Sequence, residues 1–240
     1  MARLTRQELK KDEFAERFGV VRDFYFENQR TILWGGGIVA LAAVLAGLVF
    51  LYVRSQSNQA AEAFAQALVT FHAPVIETPP PNSTMVSFKT PEERYAKALG
   101  EFEAVAERFS RYAPGRLSRY YVALCQKELG KFAEAEQQLQ SIAGGSDPQL
   151  AALAKMALAG IYRQTERSSE AEKLYQELET NPAATVPKAT VQLELAELYR
   201  ETQPQRSVEL YQQIEKDYPG TSAGDAASRK LQELPQGSEP

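Results

Sequence analysis

The hydrophobic pattern divides the chain into two regimes. Residues 32–53 carry no charged side chain and are apolar or glycine throughout. As a helix these 22 residues would extend about 33 Å, enough for a bilayer hydrocarbon core of roughly 30 Å. A helix apolar on every side has no face to offer to water. Trp34 and Tyr52 stand near its two ends, where amphipathic rings favour the headgroup level. Beyond it the spacing changes. Ala60, Phe64, Leu68 and Phe71 recur at helical intervals, with no Gly or Pro between Tyr52 and His72. The apolar helix is therefore predicted to run on as a stiff stalk. From residue 90 the apolar positions recur every three or four residues, as in Tyr95, Leu99, Phe102, Ala106 and Phe109. That period predicts a succession of amphipathic helices.

Breakers and caps set the boundaries. Three successive prolines within 75–89 exclude helix and predict an exposed, mobile loop. Thr90-Pro91-Glu92-Glu93 supplies an N-cap, a proline at the first helical position and a reciprocal glutamate. Ser146-Asp147-Pro148 opens a later helix in the same way, and Gly144-Gly145 closes the one before it. Short linkers require neighbouring helices to pack antiparallel. A charged helix at 226–234 is expected to cap the open end, with 235–240 disordered. At the other end, residues 1–31 read as a tail. Thr5 and Glu8 form a capping-box pattern, followed by Phe14, Phe18, Val21 and Tyr25 at helical spacing. This tail fits an amphipathic helix on the membrane face, a segment docked on a partner, or a solvated stretch with a few aromatics.

A repeat underlies the soluble part. The segment 157–163, Ala-Leu-Ala-Gly-Ile-Tyr-Arg, returns 37 residues later as Glu-Leu-Ala-Glu-Leu-Tyr-Arg at 194–200. Ala135 and Ala171 mark a second helix of each unit, 36 residues apart. Small residues at Ala123, Ala159 and Ala196 would let paired helices approach closely, while Tyr162, Tyr175, Tyr199 and Tyr211 fill the gaps. This pattern resembles the tetratricopeptide repeat, whose period is about 34 residues with two helices per unit. Gln126 stands where the pattern expects an aromatic and Ser207 where it expects alanine. The stalk helix and the helix after Thr90 resemble a divergent first unit with a swollen turn. The expected architecture is all-α, a single transmembrane helix at 32–53 followed by a helical-hairpin solenoid over 54–234.

Charge orients this arrangement. Arg17, Arg22 and Arg30 precede the apolar stretch, and only Arg54 closely follows it. The positive-inside rule places the amino terminus in the cytoplasm and the large domain across the membrane. An uncleaved anchor is preferred to a signal peptide, because the apolar run exceeds the usual h-region of about 7 to 15 residues. The net charge of −4, with no basic patch dominating the large domain, argues against nucleic-acid binding. One cysteine, Cys125, and one histidine, His72, rule out an internal disulfide and make a Cys/His metal cage an accident. There is no glycine-rich phosphate loop, nucleophile elbow or metal motif. The chain is read as non-catalytic, without cofactor, metal site or small-molecule substrate.

Binding residues follow from the repeat. The first helix of each unit lines a concave face in this fold. Counting along those helices places Tyr120, Leu124, Lys127, Leu153, Met156, Gly160, Arg163, Leu193 and Arg200 on it. An apolar floor with Met156 and a few basic residues suits an amphipathic helix or a non-native segment. The groove could equally be narrow or filled by the chain's own ends.

One further resemblance covers the whole layout. Phe26-Glu27-Asn28-Gln29 before Gly35-Gly36-Gly37, in a single span followed by tetratricopeptide-like units, resembles the bacterial ancillary subunit of the Sec translocon. The resemblance implies an inner-membrane anchor with periplasmic repeats, and as partners translocon subunits, periplasmic chaperones or unfolded clients. The proline loop and the Tyr-Pro-Gly-Thr ending at 218–221 are closer to periplasmic repeat proteins of envelope assembly. They imply the alternative of a scaffold for cell-envelope or division machinery.

Overall fold

A computed structural model gives the fold and describes residues 29–78 and 85–233. The tail through residue 28, the loop tip at 79–84 and residues 234–240 lie outside the described residues, and with them the expected tail helix and disordered end. The chain divides into two compact units, Met1–Gln56 and Ser57–Pro240.

In the first unit the described residues form the beginning of one long helix, α1 (Gln29–Phe71), which starts three residues ahead of the predicted span. Its apolar side chains from Leu33 to Val53 are exposed, Trp34 by 76 % and Tyr52 by 64 %. A Cβ built on Gly35, Gly36, Gly37 or Gly47 would meet no atom within 4 Å. This helix is long and apolar enough to cross a membrane.

The second unit takes the last residues of α1 and eight further helices among the described residues. These are α2 (Pro91–Arg108), α3 (Ala113–Glu128), α4 (Phe132–Ala143), α5 (Pro148–Gln164), α6 (Ser168–Thr180), α7 (Lys188–Thr202), α8 (Pro204–Asp217) and α9 (Ser222–Glu233). From α2 onward each helix packs on the next in sequence, and α3 also touches α5, as α7 touches α9. That is the contact pattern of stacked hairpins, in which no hairpin can bury its apolar face alone.

Small residues make the crossings possible. Ala67 faces Ala98, Ala123 faces Ala135, and Ala159 faces Ala171, all fully buried. At the last crossing Ser207 replaces alanine and is also fully buried. Its hydroxyl donates to the Ala196 carbonyl at 2.7 Å, so the extra polar atom keeps the partner that burial demands. Larger side chains fill the spaces between, chiefly Phe102, Leu139, Ile161, Tyr175 and Tyr211. Truncating one of them, such as Leu139→Ala, would cost about 2–5 kcal/mol.

Local chemistry sets the helix ends. Asp147 accepts from the Gln149 and Leu150 amides, capping α5 as its Ser-Asp-Pro pattern predicts. Thr90 caps α2 by accepting from the Glu93 amide. The glutamate's return bond goes to the Lys89 amide, one residue before the cap, rather than to Thr90 itself. The predicted loop at 75–89 is tied at its base, where Val75 and Phe88 form a parallel bridge. There Ile76 N donates to Phe88 O at 2.8 Å and Phe88 N to Pro74 O at 3.1 Å. Arg94 adds a bond to the Ala73 carbonyl. The last helix begins at Ser222, four residues before the predicted start, because Thr221 accepts from the Gly224 amide and caps it.

Candidate protein-binding surface

The residues expected on the concave face come from α3, α5 and α7. Tyr120 is half-buried against the Ala123–Ile161 cluster, and burial pushes its hydroxyl up to about 12. Leu124 is half-buried one turn on. Leu153 and Met156 are half-buried beside the cluster that contains Ala152, Tyr175 and Tyr199. Leu193 packs against the Tyr211–Ala227 cluster. Gly160 faces open space.

The three basic positions are already neutralised. Lys127 pairs with its neighbour Glu128 at 3.3 Å. Arg163 reaches from α5 to Glu194 on α7 at 2.8 Å, and Arg200 pairs with Glu197 at 2.8 Å. This surface therefore offers half-buried apolar patches interrupted by ion pairs, not a row of free cations. A partner's carboxylate would have to displace a glutamate, and exposed pairs of this kind are worth only about 0–1 kcal/mol. Polar contacts here can give way to an incoming chain at little cost.

Sequence reasoning missed a large open cleft elsewhere in the second unit. It holds about 1310 Å³, above the roughly 300–1,000 Å³ usual for small-molecule pockets. Glu103, Glu107 and Ala106 of α2 form one wall, Arg116, Arg119 and Val122 of α3 line it, and Gln137, Gln138 and Ser141 of α4 form another. A smaller cleft of about 470 Å³ runs along α1 and α2 past Gln59, Ala63, Ala104 and Arg108. None of the residues counted onto the concave face lines either cleft. The signal was present in the uncharged Gln137-Gln138 pair that follows Glu134 and Glu136, but only the gap between non-adjacent helices gives it meaning.

Cys125 is fully buried and burial pushes its thiol up to about 12, so it has no nucleophilic character near neutrality. Among the described residues no group of three or more His, Cys, Asp or Glu could hold a metal ion.

Stacked two-helix hairpins with alanine crossings, tyrosines between units and an open, mixed-polarity surface define a helical repeat scaffold. The chain belongs to the tetratricopeptide repeat-like domain family, whose match covers residues 22–186 and so includes the apolar stretch. A tetratricopeptide repeat is matched separately over residues 190–221. Among solved structures the chain is similar to a putative kinesin light chain of Podosopora anserina with nearly identical TPR-like repeats. The identity is 17 %, covering 75 % of this chain and 83 % of that one, with a TM-score of 0.49. A point-substituted form of that same kinesin light chain matches at 18 % identity with the same coverage and score. No curated protein matches.

Proposed function

We propose that this protein is a non-catalytic, single-pass membrane adaptor whose repeats bind other proteins. Residues 32–53 cross the bilayer, the amino terminus is cytoplasmic, and the repeat domain lies on the periplasmic side of a bacterial inner membrane. The observation that carries the anchoring is the uncharged helix from Leu33 to Val53, whose large apolar side chains are exposed. Leaving such a surface in water would forfeit roughly 25 cal/mol for each Å². The side assignment rests on Arg17, Arg22 and Arg30 before the span against Arg54 after it. Family membership supports binding of proteins by the repeats.

The partner at the membrane is proposed to be the Sec translocon, on the resemblance of residues 26–37 and of the whole layout to its ancillary subunit. The half-buried apolar positions around Leu153, Met156 and Leu193 would then receive emerging or chaperone-held polypeptide. Affinity capture of the intact protein from membranes, followed by identification of what is recovered, tests this. Translocon subunits are expected, and their consistent absence would overturn the Sec assignment.

A second reading draws on the cleft lined by α2, α3 and α4. Its size and mixed charge suit a structured partner, as a scaffold for envelope or division machinery would need. Recovery of envelope-assembly or division proteins in place of translocon subunits, lost on Gln138→Glu or on deletion of 75–89, would favour it.

A further inference from the structure

We propose that the junction of α2 and α3, with Arg108 at the end of α2, Arg111 in the turn and Arg116 and Arg119 in the first part of α3, is a docking surface for the headgroups of anionic phospholipids. The bilayer face in question is the one from which the repeats emerge. This inference rests on the anchored reading above.

The first observation is charge segregation. Residues 108–119 hold four arginines and no acidic residue along the chain, within a chain whose net charge is −4, and of the four Arg116 and Arg119 also line the cleft that Glu103 and Glu107 wall. All four side chains are exposed. Farther along the repeats Arg163, Arg167, Arg200 and Arg206 each face a glutamate. Among the described residues, the four arginines of the junction make no ion pair. Arg108 donates to the Gln59 side chain at 3.3 Å and lies over the Phe109 ring at 5.0 Å. Arg116 donates to the Arg111 carbonyl at 3.1 Å.

The second observation is the tether. Phe109 is buried in a cluster with Ala60 and Val105, with Ala63 and Tyr112 packed on it. Ala60 is only seven residues past Val53, the last apolar residue of the span. Seven residues cover about 10 Å as a helix and at most about 25 Å fully extended. That short connection, with Arg54 at its start, limits how far the cluster around Ala60 can stand from Val53 along the chain. The turn is also preorganised. Tyr112 N donates to Phe109 O at 2.9 Å, and a Cβ on Gly115 would lie 2.0 Å from that same carbonyl oxygen. A fixed backbone presets the spacing of these guanidiniums, which recognise phosphate through paired N–H donors.

The test uses the full chain reconstituted in nanodiscs, with a fluorophore on Ser110→Cys and headgroup-spin-labelled lipid as quencher. Buried Cys125 stays unlabelled, and a Ser169→Cys label sets the background. Quenching at residue 110 is expected to be strong in discs containing phosphatidylglycerol and weak in pure phosphatidylcholine. It should fall when salt is raised to about 1 M, where the Debye length is about 3 Å. Each Arg→Gln change at 108, 111 or 116 should lower the contact equilibrium roughly fivefold. Circular dichroism confirms that the variants stay folded. Equal quenching in both lipids, or quenching untouched by the triple Gln variant, overturns the inference while leaving anchoring intact. A chain that inserts into neither disc overturns anchoring and this inference together.

Discussion

Tyr199 of α7 donates its hydroxyl to Glu172 of α6 at 2.7 Å, closing the junction between two repeat units. The Arg206 guanidinium lies over the same ring at 4.2 Å and stands 3.8 Å from the same carboxylate. One unit earlier, Glu136 accepts from Arg167 at 3.1 and 2.5 Å, and Arg167 lies over the Tyr162 ring at 4.2 Å. A tyrosine, an arginine and a glutamate thus recur together at both junctions. At the preceding position Gln126 replaces the tyrosine, and its Oε1 is buried without a partner. Tyr199→Phe keeps the ring and the cation–π contact but removes this hydrogen bond, leaving Glu172 with Gln176 and Arg206, so it should cost about 1 kcal/mol. Glu172→Gln should cost a similar amount, and the double variant less than the sum, because the two share one interaction. Denaturant unfolding of the full chain measures all three.

The Glu136 clamp predicts a pH dependence. Hydrogen bonding from Arg167 holds the Glu136 carboxyl below its ordinary value of 4.5. A group whose folded value is depressed stabilises the fold above its unfolded value, and that contribution is lost as pH falls through the folded one. Stability should therefore decline more steeply below about pH 4.5 in the native chain than in Glu136→Gln, the two acid limbs converging at the lowest pH. Parallel acid limbs would contradict the clamp.

Glu166 has φ +60° where the corresponding turn one unit earlier has Gly130 at φ +73°. Both turns close the same way. Lys131 N bonds Gln126 O at 2.8 Å, and Arg167 N bonds Tyr162 O at 2.7 Å. A left-handed non-glycine residue costs about 1–2 kcal/mol, partly offset by the greater unfolded-state freedom of glycine. Glu166→Gly should raise stability by about 0.5–1 kcal/mol, read as an increase in Tm.

Gly115 is the strictest position. Its missing Cβ would sit 2.0 Å from Phe109 O, and at Gly224 the same construction gives 2.3 Å from Tyr218 O. Alanine at either site forces the turn open, with a cost of about 1–3 kcal/mol or more. The Gly115 variant should also loosen the α2–α3 junction, visible as faster amide exchange in residues 109–119. The same close approach thus recurs six residues after Phe109 and six residues after Tyr218.

Much of the fold was legible because its determinants are local. The alanine and tyrosine positions repeat with a period near the length of one hairpin, and Asp147 and Thr90 announce their helices through single side chains. What stayed hidden depends on contacts between units. The ion pair of Arg163 with Glu194 joins residues 31 apart, and no spacing rule assigns that glutamate to that arginine. The same holds for the cleft, whose walls come from α2 and α4 with α3 between them. Ser207 looked like a departure from the repeat, and only the Ala196 carbonyl opposite explains why the position tolerates a hydroxyl.

Site-specific photo-crosslinking in intact membranes tests the adaptor account most directly, with the crosslinker placed in turn at Leu45, Met156 and Gln138. The account predicts adducts with membrane-protein subunits at Leu45 and with polypeptide clients or their chaperones at Met156. Adducts with division or wall-assembly proteins, concentrated at Gln138, would replace the translocation reading with the scaffold reading. Adducts at none of the three positions would contradict the claim that these repeats bind other proteins.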